Sequence, residues 1–237
     1  MSHKQALPYN AEEVAENNEV VKSLINTPNS RTIVFFGSVV YFTQPGNPGF
    51  TSATISTSEK IWSFLDQVYI QARGDAIKRL YIFNGANLSP DGKEGTTFTT
   101  SSWVNHPEPR LYDDDLEVKC IALAPYETEH MEAVWMEEQG HSKTTTLIVG
   151  KSHVDRRKVL ANVATVAYKY VAGEGGPGSL EELYNVFKED QTAFMSKGVF
   201  FNNSYLARTV ISKEIEEMRK KIEAYTLMEE HITASLM

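Results

Sequence analysis

The sequence predicts an α+β protein in which a strand-rich, sandwich-like central sheet carries helices at both termini. Three observations lead there. Near the N-terminus Val14, Val21, Leu24 and Ile25 recur at helical spacing, and near the C-terminus Ile211, Ile215, Met218, Ile222 and Tyr225 do the same. Between them lie short β-branched and aromatic runs separated by turn residues. Pro28 stops the first helix, so residues 1–28 read as an N-terminal helical arm and 29–237 as one α+β domain with C-terminal helices.

In chain order, Asn10 with Glu13 resembles a capping box opening the first helix. Thr32 to Phe42 is β-branched and aromatic, which suits a buried strand bent at Gly37. The turn Gln44–Gly49 leads to a second strand, Phe50 to Ile55, making a hairpin. Ser56 with Glu59 then caps a helix whose apolar face is Ile61, Phe64, Leu65, Val68 and Ala72, ending at Gly74.

Further strands are expected at Leu80–Phe83, Thr96–Val104, Leu116–Ala124, Met131–Met136 and Thr144–Val149. Ser152 with Asp155 caps a helix carrying Val159, Val163, Val166 and Tyr170, and Ser179 with Glu182 caps the next. Gly173–Gly178 joins these two helices as a flexible connector, and Lys197 to Phe201 reads as an edge strand. The terminal helix sets Glu214, Glu216, Glu217, Arg219, Lys220, Lys221 and Glu223 opposite its apolar seam.

The bulk numbers narrow the function. A net charge of −8 and a pI near 5.3 argue against coating a phosphate backbone, which needs clustered Lys and Arg. The densest basic groups, Arg156-Arg157-Lys158 and Arg219-Lys220-Lys221, stand beside acidic residues on helices and read as solvated faces. Cys120 is the single cysteine, in an apolar run where it packs as a small hydrophobe, so no intrachain disulfide forms. Neither a secretory signal nor a membrane span is evident. A cytoplasmic protein with no membrane partner and no direct nucleic-acid partner is expected.

Chemistry is sparse. The six histidines lack metal-site spacing, so no metal and no cofactor is expected. Asp113-Asp114-Asp115 reads as a solvated loop, since calcium loops alternate their carboxylates. No Gly-x-Ser-x-Gly elbow occurs, and His231-Ile-Thr233 lacks the second copy a two-histidine phosphoesterase needs. No catalytic residue is assigned.

Two places suit an anion. Gly150, Lys151, Ser152 and His153 stand between a strand and a helix N-terminus, where backbone N–H groups and the Lys151 ammonium favour phosphate. Thr145 occupies the position where a P-loop has glycine, so this is no Walker motif. The second place, Gly173–Gly178 before the Ser179 helix, shows no preceding strand, carries Glu174 and reads as a linker.

The order of elements Asn10–Ile25, Thr32–Ile55, Ile55–Glu59 with its helix, and Leu147–His153 before late helices is similar to that of the polyhedrins of cypoviruses. Those proteins crystallise inside infected insect cells and embed virions. The resemblance implies a trimer-forming β-sandwich whose N-terminal helix ties trimers into a lattice. It also implies a nucleotide contact between subunits at Gly150-Lys151-Ser152. The expected function is therefore a non-enzymatic, self-assembling matrix protein of a viral occlusion body, partnered by copies of itself in the host cytoplasm. The alternative is a small enzyme or sensor that binds a phosphorylated ligand at Gly150–His153.

Overall fold

The computed structural model describes residues 9–37, 49–86, 96–106, 115–126, 143–172, 177–200 and 220. In chain order they form helix α1 (Ala11–Ile25), strand β1 (Ser30–Phe36), helix α2 (Gly49–Gly74), strand β2 (Arg79–Asn84), helix α3 (Thr96–Asn105) and strand β3 (Glu117–Pro125). Strand β4 (Thr144–Gly150), helix α4 (His153–Val166), strand β5 (Lys169–Ala172), helices α5 (Pro177–Glu189) and α6 (Gln191–Lys197), and strand β6 (Gly198–Phe200) follow. The six strands make one sheet in the order β4-β3-β2-β1-β5-β6, and every pairing in it is parallel.

Helices and strands are thus mixed, as expected, but the sheet is not the core of a sandwich. A parallel sheet joined by crossover helices is an α/β arrangement, with a helical layer on each face. The alternation along β1 shows both layers. Ile33 and Phe35 point into a core with Ile61, Leu65, Val68 and Ala72 of α2 and Trp103 of α3. Val34 and Phe36 point the other way, into a core with Leu160 and Val163 of α4, Leu183 and Val186 of α5, and Phe194 of α6. A strand buried on both faces has no polar side to show, which is why Thr32–Phe36 reads as a continuous apolar run.

Two expected strands are helices. Phe50–Ile55 lies within α2, so the hairpin is absent, and Ser56 and Glu59 sit inside a helix instead of opening one. Thr96–Val104 is α3. Its threonines are β-formers by propensity, yet here Thr100 Oγ1 donates back to the Thr96 carbonyl at 2.7 Å. Tertiary packing then overrides propensity. Trp103 Nε1 donates to Asp66 Oδ1 at 2.9 Å and Trp62 Nε1 to the Thr99 carbonyl at 3.1 Å, which zips α3 onto α2. Tyr170 belongs to β5 and not to the helix before it. The helix stops at Val166 because the chain must turn back into the sheet, and Tyr168 N donates to the Thr32 carbonyl at 2.9 Å. The expected strand Met131–Met136 and the terminal helix through Ile211–Tyr225 lie outside the described residues.

Other elements form as read. Asn10 caps α1, its Oδ1 accepting from Glu12 N at 3.1 Å and Glu13 N at 3.2 Å. β6 is an edge strand. Within residues 1–28, α1 lies against the rest of the fold: Val21 is buried with Leu24 and Ile25 beside it in the core. Asn17 Nδ2 donates to the Ile148 carbonyl and Asn18 Nδ2 to the Val149 carbonyl, both at 3.1 Å. Val21→Ala should therefore cost about 2 kcal/mol of stability, the value for two lost methyl groups plus a partly relaxed cavity. Urea unfolding is the check, and an unchanged midpoint would show that α1 packs on nothing of consequence.

Candidate functional site

In a parallel α/β sheet, ligands bind outside the carboxyl ends of the strands, at the point where strand order reverses. Here the chain runs outward from β1 through β2 and β3 to β4, then returns to β5 on the other flank of β1. The reversal lies between β1 and β5, where Phe36 pairs with Ala172. Gly37 follows β1 with φ of 116°, a conformation that L side chains rarely adopt.

A buried ion pair stands at this edge. Arg156, in the first turns of α4, is 1% exposed, and Glu182 of α5 is 2% exposed. Arg156 Nη2 lies 2.8 Å from Glu182 Oε1, and Nη1 donates to the Gly85 carbonyl at 2.6 Å. The Glu182 carboxyl accepts from the backbone N–H of Gly37. Two helices are thereby fastened to the ends of the two central strands β1 and β2. Burial pushes the Glu182 carboxyl up, while Arg156, Arg157 and the Gly37 N–H pull it down; burial dominates.

Satisfaction of this pair is incomplete. Among the described residues Glu182 Oε1 and Arg156 Nε make no well-aligned hydrogen bond, although Arg156 Nη2 stands against Oε1.

The glycines here leave no slack. A Cβ on Gly85 would stand 1.7 Å from Arg156 Nη1. Around the same edge, Asn84, Thr96, Thr97 and Thr100 are buried. Thr96 Oγ1 donates to the Gly37 carbonyl at 2.5 Å, and Thr97 Oγ1 to Asn84 Oδ1 at 2.9 Å. Asn84 Nδ2 reaches Cys120 Sγ at 3.1 Å. Cys120 is buried, and burial pushes its thiol up to about 11, so it is no thiolate nucleophile at neutral pH.

Gly150, Lys151, Ser152 and His153 come together as read from the sequence, at the end of β4 and the start of α4. The helix end there is already satisfied from within. Ser152 N donates to Asp155 Oδ2 at 3.1 Å, and Asp155 N donates to Ser152 Oγ at 3.3 Å, a complete capping box. The Gly150 carbonyl accepts from Tyr126 N at 2.9 Å, and Lys151 is exposed. A carboxylate thus already occupies the helix N-terminus. Hydrogen bonds from Ser152 hold Asp155 below the usual carboxylate range.

The second anion place changes more. Its missing strand is present: β5 ends at Ala172, and α5 begins at Pro177. Gly173–Gly176 themselves lie outside the described residues. Ser179 and Glu182 do not cap the helix from outside; both lie within it and are buried. Arg156, read as part of a solvated basic face, is buried, while Arg157 pairs with Glu181 and Lys158 is exposed. A signal for both residues exists in the sequence. Arg156 precedes Leu160, Val163 and Ala164 at apolar spacing, and Glu182 precedes Val186 in the same way.

Of the remaining residues considered, Asp115 is exposed, and Asp113 and Asp114 lie outside the described residues. Among the described residues no group of His, Cys, Asp and Glu is arranged to hold a metal ion, and no helix is long and apolar enough to cross a membrane. Compared with models of known protein families and with curated proteins, the sequence matches none.

Two predictions follow from this geometry. Arg156→Met alone should cost about 3–5 kcal/mol, because it strands the Glu182 carboxyl in the interior, whereas Arg156→Met with Glu182→Leu should recover most of that loss. Chemical denaturation of both variants reads this out, and equal losses would mean that the pair is not coupled. Ser152→Ala should lower stability by about 1 kcal/mol at neutral pH. With its pKa lowered, Asp155 contributes stability that is present above the ordinary carboxylate value and is lost as pH falls through the lowered one. The variant should therefore lose less on acidification than the parent, and parallel pH profiles would contradict the cap.

Proposed function

We propose that this protein binds a small phosphorylated ligand, of the nucleoside phosphate class, at the carboxyl ends of β1, β2 and β5. We further propose that Arg156 and Glu182 act on it there. The observation that carries this reading is a buried guanidinium–carboxyl pair held by backbone groups at the carboxyl ends of β1 and β2, beside the strand-order reversal. Parallel sheets of this layout offer anions the N-terminus of the helix after a strand at that edge. Helix α5, which follows β5 and begins at Pro177, has such an N-terminus.

The chemistry that one carboxyl and one guanidinium support is proton transfer beside a stabilised negative charge. A carboxyl raised by burial is suited to protonating a leaving group. With Cys120 held as a neutral thiol, the cluster favours acid–base cleavage over covalent attack. Hydrolysis of the glycosidic bond of a nucleoside phosphate is a reaction of that kind: water adds to the sugar carbon as the carbon–nitrogen bond breaks, and the base departs with a proton. Arg156 in this scheme holds anionic charge near the reacting centre, and Glu182 moves the proton.

The self-assembling matrix reading loses support at Thr32–Ile55, where the element order that carried it required a hairpin and the chain is instead a strand followed by a helix. The Gly150–His153 reading loses support because Asp155 already occupies that helix end.

Incubation with nucleoside 5′-monophosphates should release free base, detected by chromatography. Glu182→Gln should lower turnover by roughly 100-fold or more while leaving ligand binding within a few-fold. Neither binding nor base release with any of them, together with large particles in size-exclusion chromatography, would return the matrix reading to first place.

A further inference from the structure

We infer that Asn84 is the positioning residue of this site, bracing the turn after β2 so that the Gly85 carbonyl holds Arg156 against Glu182. The inference rests on the reading of Arg156 and Glu182 given above, but it adds a residue that touches neither of them.

Asn84 is the last residue of β2, and its side chain is wholly buried. An amide in that position needs partners for one acceptor and two donor hydrogens. Oδ1 accepts from Ala86 N at 3.1 Å and from Thr97 Oγ1 at 2.9 Å. Nδ2 donates to Thr100 Oγ1 and reaches Cys120 Sγ, both at 3.1 Å. The bond to Ala86 N, two residues on, closes an Asx turn over Gly85.

That turn needs bracing. Ala86 has φ of 45° and is 1% exposed, so a residue with a Cβ is held in the left-handed region inside the protein. Such backbone persists only where its surroundings over-determine it, and it concentrates at working sites. Gly85 lies between Asn84 and Ala86, and its carbonyl is the 2.6 Å partner of Arg156. If the turn relaxes, that carbonyl swings away and the guanidinium loses the contact that fixes it beside Glu182. An asparagine serving only to fill the core would not need to close a strained turn on the strand end that meets the buried charge.

The groups facing Glu182 in this arrangement are Arg156 and Arg157 from α4 and the Gly37 N–H from the end of β1; on its own helix, Glu181 pairs with Arg157. Asn84→Ala tests the inference, with Thr100→Val as the control. The control removes one of the two partners of Asn84 Nδ2, leaving Cys120 Sγ, and does not touch the bond from Ala86 N. Two readouts are taken: the titration of the Glu182 carboxyl by carbon NMR, and affinity for nucleoside 5′-monophosphates and inorganic phosphate by calorimetry. In Asn84→Ala the Glu182 midpoint should move upward, because burial stays while the Arg156 pull weakens, and affinity should fall roughly tenfold. Thr100→Val should lower the melting temperature and leave both readouts at the parent values.

The inference is overturned if Asn84→Ala loses stability as the control does, yet keeps the parent titration and affinity. Should the alanine variant not fold, Asn84→Ser, which retains a hydroxyl acceptor for Ala86, is read in the same way with a smaller displacement. A parent protein that binds none of the probes would sink the proposed ligand, while the Glu182 titration would still decide the role of Asn84.

Discussion

A guanidinium and a carboxyl buried side by side place the tightest constraint on this fold. Removing a guanidinium and a carboxyl from water is tolerated only where each is held by several well-placed groups. Arg156 is held in part by the Gly85 carbonyl, and Glu182 in part by the Gly37 N–H. Both holding groups are backbone atoms just past the ends of the two central strands. Each strand end therefore carries glycine, one to reach a positive φ and the other to leave room for Arg156 Nη1. Helices α4 and α5 are joined by the same pair, so the far face of the sheet is closed at its functional edge by electrostatics as well as by apolar contact.

The sheet itself follows from burial on both faces. Each face of β1 and β2 contributes side chains to a separate core, one with α2 and α3, the other with α4, α5 and α6. Parallel pairing needs crossovers long enough to hold a helix, and those helices supply the two covering layers. This division leaves the strand ends at the reversal between β1 and β5 as the place where backbone polar groups from several elements converge. The threonines of α3 serve that edge, with Thr96 on Gly37 and Thr97 on Asn84.

Strands β1, β2, β3 and β4 were legible from their apolar runs, and α1 and α4 from their caps, because those signals are local. What was hidden was the alternation of strand and helix. Thr51, Thr54 and Ile55, and Thr96, Thr97, Thr99 and Thr100, are β-branched and read as strands, although both segments are helical, the second packed on α2 through Trp103 and Trp62. With the start of α2 and the whole of α3 read as strands, a parallel sheet looks like hairpins and a sandwich. β5 was missed because Tyr170 continues the spacing of the preceding helix, and four residues give little signal of their own. Missing β5 in turn made the glycine run after it look like a plain linker. At the site, Arg156 was read as part of a solvated basic face and Glu182 as the capping partner of Ser179; only their spacing against Leu160, Val163 and Val186 marks the buried face.

The central claim is that a phosphorylated ligand sits at the strand-order reversal rather than at the start of α4. Amide chemical-shift mapping during titration with a nucleoside 5′-monophosphate tests it most directly, because the two places have separate reporters. Gly37, Gly85 and Glu182 should shift with a common saturation curve while Lys151 and His153 stay still. Shifts confined to Gly150–His153, or none at all up to millimolar ligand, would contradict the account.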